Sequence, residues 1–71
     1  MIRHWKIRDM RDRTAYYVTV REIPGVSVLD QVASFMKEHA IPPEHCRIVE
    51  NSSRFLNLTF KEFVMQQLTI K

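Results

Sequence analysis

The sequence is short of the residues that usually build special sites. Of 71 residues, one is glycine and one is cysteine. A lone glycine, Gly25, excludes every phosphate-binding loop that needs two or more. A lone cysteine, Cys46, cannot close an intramolecular disulfide, so the chain is not a disulfide-stapled scaffold and a reducing compartment suits it. There is no long apolar run, so no segment reaches the length of a bilayer span and no membrane association is expected. No apolar stretch follows Met1-Ile2-Arg3-His4-Trp5-Lys6, so no secretory leader is expected either. Without one, Asn51-Ser52-Ser53 and Asn57-Leu58-Thr59 are chance matches to glycosylation acceptors. No carboxylate cluster suited to Mg²⁺ is present.

What remains is an ordinary globular composition, 45% hydrophobic and 27% charged, which fits one compact domain over residues 1–71. A chain this short buries only about 60% of the surface it exposes when unfolded. A second copy or a bound partner would therefore add useful stability.

The formal net charge is +3, and it is unevenly spread. Residues 1–23 carry Arg3, Lys6, Arg8, Arg11, Arg13 and Arg21 against Asp9, Asp12 and Glu22, whereas basic and acidic residues balance over 24–71. Arginine predominates in the basic third, and its guanidinium suits bidentate contacts to phosphate or carboxylate.

Hydrophobic periodicity predicts the order ββαββ(α). Residues 2–9 and 14–22 alternate with the period of a strand, with Trp5 and Ile7, then Tyr16, Val18 and Val20, on the buried side. The polar residues 9–13 join them as a turn. Pro24-Gly25 ends the second strand. Ser27 is a candidate helix N-cap, and Val28, Leu29, Val32, Ala33, Phe35, Met36 and Ala40 form an apolar stripe at helical spacing. A helix over 27–40 is expected, stopped by Pro42-Pro43. Residues 46–50 read as a third strand with Cys46 and Ile48 on one side. Asn51-Ser52-Ser53-Arg54 reads as a turn, and 55–60 as a fourth strand with Leu56, Leu58 and Phe60 inward. Thr59-Phe60-Lys61-Glu62 spells a capping box, so a short C-terminal helix is favoured over a strand, with Phe60, Phe63, Val64 and Leu68 on one face. The fold class is a small α+β domain, a mainly antiparallel sheet with the 27–40 helix packed on one face. The expected core is Trp5, Ile7, Tyr16, Val18, Val20, Val28, Leu29, Val32, Phe35, Met36, Ile48, Leu56, Leu58 and Phe60.

The same alternation sends His4, Lys6, Arg8, Tyr17, Thr19 and Arg21 to the other side of the sheet, where Phe55, Asn57 and Thr59 can join them. Such a surface suits single-stranded nucleic acid, whose bases stack on rings while its phosphates meet cations. It equally suits an acidic protein or a second copy of the chain. A C-terminal helix laid over it would instead bury Tyr17 and Phe55. Arg8, Arg11 and Arg13 crowd the first turn beside Asp9 and Asp12. They can follow a phosphate backbone or pair locally, and local pairing is favoured.

Other chemistries are thinly supported. His39, His45 and Cys46 lack the paired spacing of a structural zinc site. Adjacent strand residues point to opposite faces, so His45 is poorly placed to activate Cys46. A small RNA-cleaving enzyme or toxin using His4 has its residue types here, but many non-enzymes have them too.

The sequence thus points to a small non-enzymatic cytoplasmic binding module, of the size of a bacterial or phage accessory factor, acting by stoichiometric occupation of a target and needing no cofactor or metal. A protein partner or self-association is favoured, and nucleic acid is the alternative. The expected contact residues are Lys6, Arg8, Arg11, Arg13, Tyr17 and Arg21.

Overall fold

Eight residues of strict alternation on either side of a polar turn close the first hairpin. β1 (Ile2–Asp9) pairs antiparallel with β2 (Thr14–Arg21) in unbroken register from Ile2 opposite Arg21 to Asp9 opposite Thr14. The computed structural model describes residues 2–52 and 54–69. Side chains tie the intervening turn. Asp9 Oδ1 accepts from the Arg11 backbone N–H at 3.0 Å, Asp12 Oδ1 accepts from Thr14 N–H at 3.0 Å, and Arg13 takes the left-handed φ of 61° that returns the chain. After β2, Pro24 and Gly25 occupy the centre of a turn closed by Val26 N–H donating to Ile23 C=O at 3.0 Å. Gly25 has a φ of +84°, which the third residue of such a turn requires and side chains resist.

Helix α1 (Val28–Glu38) starts where expected, with Ser27 Oγ accepting from Asp30 N–H at 3.3 Å. It ends two residues before the expected position 40. Ala40 turns left-handed (φ 54°), Ile41 N–H donates to Met36 C=O at 2.8 Å and Ala40 N–H to Lys37 C=O at 3.2 Å. This pair of bonds is a Schellman stop, and it brings Ile41 onto Met36, both buried. A single turn (Pro43–His45) leads into β3 (Cys46–Asn51), which pairs with β1, and β4 (Arg54–Thr59) pairs with β3. The sheet order is β2-β1-β3-β4, antiparallel throughout. The turn residue Ser53 of the second hairpin lies outside the described residues.

The tail is helical. α2 (Phe60–Thr69) takes Phe60 from the end of the expected fourth strand, because the capping box forms in full. Glu62 N–H donates to Thr59 Oγ1 at 3.1 Å while Thr59 N–H donates to Glu62 Oε1 at 2.9 Å. Hydrogen bonding from Thr59, its backbone N–H first and then its side chain, holds the Glu62 carboxyl below its usual range. Ile70 and Lys71 lie outside the described residues.

Both helices cover the same side of the sheet. The fully enclosed core is Trp5, Ile7, Val18, Val20, Val32, Met36, Ile41, Cys46, Ile48 and Phe63. Tyr16, Val28, Leu29, Phe35, Leu56, Leu58 and Phe60 pack around it half-buried. Phe63, Ile41 and Cys46 are the additions to the expected core, Cys46 from the inward side of β3. Phe63 meets Trp5 edge-on at 5.2 Å between centroids, and Ile41 enters through the helix stop. Leu68, expected on the buried stripe of α2, is exposed, because the stripe reaches the sheet only in its first half. No helix among the described residues is long and apolar enough to cross a membrane.

Candidate functional site: the open face of the sheet

With both helices on one side, no element among the described residues covers the other side of the sheet. Pairing register sets its residues in rows across the strands. One row is Tyr17, Lys6, Glu50 and Phe55, taken in the strand order β2, β1, β3, β4. The next row is Ala15, Arg8, Arg47 and Thr59. On the far side of the first row His4 stands opposite Thr19, and beyond it Ile2 opposite Arg21. Asn57 shares this face by alternation along β4.

Two rings bound the first row. Tyr17 is 67% exposed and Phe55 83%, on the two edge strands of the sheet. Three strand spacings separate them, about 14 Å. Lys6 Nζ lies 5.8 Å from the centre of the Tyr17 ring, within cation–π range. Arg8 donates to the Arg13 carbonyl at 2.7 Å, and Arg47 donates to Asn57 Oδ1 at 2.8 Å. These bonds hold both guanidinium groups over the face without neutralising them. His4 Nδ1 lies 3.5 Å from Thr19 Oγ1.

Four cations therefore stand here, Lys6, Arg8, Arg21 and Arg47, against one carboxylate, Glu50. The remaining seven basic and seven acidic residues of the chain cancel. The net charge of this face, +3, equals the formal net charge of the chain.

Lys6, Arg8, Tyr17 and Arg21, among the residues singled out from sequence, are brought together. Arg11 is not. Its guanidinium holds the buried Asp9 carboxylate through Nη2 at 2.7 Å and Nε at 3.1 Å, and donates to Ala40 C=O at 3.0 Å. That local pairing, the alternative favoured for the turn, ties the first turn to the end of α1 on the helix side. The Arg11 side chain holds the Asp9 carboxyl below its usual range. Arg13 is exposed at the end of the turn and presents its carbonyl to Arg8.

Arg47 and Glu50 are the face residues that the sequence reading passed over. Arg47 was accessible to it, since alternation with the inward Cys46 and Ile48 turns it outward. Glu50 was not, because Ile48 and Glu50 have the same parity. The register slips at Val49, so that Ile7 faces Ile48 but Lys6 faces Glu50. This β-bulge inverts the phase of the strand and brings Glu50 to the open side.

The other candidates are accounted for elsewhere. Burial, more than the nearby Asp9, pushes the Cys46 thiol up to about 11, so it is protonated at neutral pH and not a ready nucleophile. His39 stacks on Phe35 at 4.1 Å. Among the described residues no group of three or more His, Cys, Asp or Glu is placed to hold a metal. A shallow groove of about 760 Å³ on the helix side runs past Trp5, Val28 and Leu56, but Arg3 and Glu22 on its lining form an ion pair with each other. No family model, curated protein or solved structure matches this chain.

Proposed function

We propose that this protein is a non-enzymatic binding module whose open sheet face takes single-stranded nucleic acid. The observation that carries the reading is the row Tyr17–Lys6–Glu50–Phe55, with an exposed ring at each end and the cations of the neighbouring row beside it. Unpaired bases have faces to stack on the rings, at about 1–3 kcal/mol per base, while Arg8, Arg47, Arg21 and Lys6 meet the phosphates. A duplex hides its base faces and gains only the charge term. A protein partner, favoured from sequence alone, would be expected to bury rings near the centre of its contact; here they stand at the two edges.

The test is an anisotropy titration of labelled single-stranded RNA, single-stranded DNA and duplex DNA between about 50 and 200 mM salt. Single strands should bind more tightly than duplex. If all four cations engage phosphates, the log–log salt slope should be roughly −3, and Arg8→Ala or Arg47→Ala should each reduce it by about 0.7. Tyr17→Ala and Phe55→Ala should weaken binding without altering the slope. Absence of binding, or binding equal for duplex and single strand and lost on adding salt, overturns the reading and returns attention to a protein partner.

A further inference from the structure

We infer that Glu50 reads the base, and that the face prefers single strands containing guanine over those of thymine or uracil. The inference rests on the nucleic-acid reading above. Among the described residues the Glu50 side chain has no ion pair and no hydrogen bond, although Lys6 stands directly opposite it on the neighbouring strand. The Lys6 ammonium turns instead toward the Tyr17 ring. An unpaired carboxylate in the middle of a phosphate-binding face repels the ligand's backbone. It is useful there only toward the part of the ligand that donates hydrogen bonds.

The bases differ in what they can donate. Guanine presents two adjacent donors on its Watson–Crick edge, the ring N1–H and the exocyclic amine, and a carboxylate accepts both at once. Cytosine and adenine offer one exocyclic amine beside a ring-nitrogen acceptor. Thymine and uracil offer a single ring N–H flanked by two carbonyls, whose lone pairs repel a carboxylate. A base stacked on Phe55, the β4 partner of Glu50, would carry its edge toward the middle of the row, where the carboxylate stands. The Val49 bulge is what puts Glu50 in that row.

The experiment compares a short labelled oligothymidine with the same strand carrying guanine, cytosine or adenine at its central positions, at one salt concentration. The guanine strand should bind roughly tenfold more tightly than the thymine strand, the size of one bidentate base contact. Glu50→Gln keeps the side-chain shape and removes the charge. It should collapse that spread and raise the oligothymidine affinity, since the charge that repels the backbone is gone. Glu50→Asp should keep the order of preference. A wild-type protein that binds all four strands equally, or a Glu50→Gln variant with the same spread, overturns the inference and leaves the nucleic-acid reading standing. A wild-type protein that binds none of the strands overturns both.

Discussion

The two faces of this sheet are built from the same strands one residue apart, and they do opposite work. On the helix side Trp5, Ile7, Val18, Val20 and Ile48 are buried, and the packed layer against α1 and α2 supplies the stability. On the open side the alternate residues Lys6, Arg8, Tyr17, Arg21 and Arg47 make few contacts that folding needs, and they carry the uncancelled charge. A strand with a period of two can separate folding from binding within one stretch of chain, because wherever pairing is regular its neighbours point to opposite sides. The charges on the helix side show the contrast. Arg3 pairs with Glu22 and Arg11 with Asp9, whereas among the described residues the cations of the open face form no ion pair.

The separation can be broken most forcefully from the core. Phe63→Ala, at the fully buried contact with Trp5, should cost about 3–5 kcal/mol in a chemical denaturation curve. That is a large share of the stability of so small a chain, and binding should be lost with the fold. Open-face variants should do the reverse. Tyr17→Ala or Phe55→Ala should cost about 1–3 kcal/mol in oligonucleotide affinity and no more than about 0.5 kcal/mol in denaturation midpoint analysis. If the ring truncations unfold the protein, the division of labour is wrong.

Smaller effects sharpen the boundary between the faces. Thr59→Ala breaks the capping box of α2 and should destabilise by about 1 kcal/mol, read as a lowered melting temperature with base preference intact. Ala40→Gly should raise stability by about 0.5–1 kcal/mol, since alanine bears the left-handed φ of 54° at the helix stop. The last effect is one of pH. Folding depresses the carboxyls of Asp9 and Glu62. Their contribution is complete above the ordinary carboxylate range and is lost as pH falls through the folded values, from about pH 4 downward. Asp9→Asn should make the melting temperature less sensitive to that fall, and an unchanged acid profile would show that the Asp9–Arg11 pair adds nothing.

Much of the fold was legible because each element carried its own periodicity and its own stop. β1 and β2 alternate without a break, Ser27 caps α1, and Thr59 with Glu62 spells out the start of α2. The end of α1 was less legible, since Ala40 is no conventional C-cap signal and the stop is made by the burial of Ile41. Phe63 was harder to place for a related reason. Which side of the sheet an amphipathic tail covers depends on the path of the chain after β4, which local pattern does not encode. Of the open face, the part on the first hairpin could be read from alternation. Arg11 could not be assigned that way, because its partners Asp9 and Ala40 lie 2 and 29 residues from it in the chain. Glu50 needed knowledge of a register slip.

That slip has a consequence for how such a face could arise. Val49 acts as a one-residue frame shift in space. Were Val49 paired in regular register opposite Lys6, alternation would turn Glu50 toward the helices, and the row from Tyr17 to Phe55 would hold Lys6 as its only charge. Deleting Val49 would not remove the carboxylate from the face, because Glu50 would then follow Ile48 directly and alternate outward, still opposite Lys6. Where a charge stands on this sheet is thus decided by how β3 pairs with its neighbour as well as by which residues β3 carries.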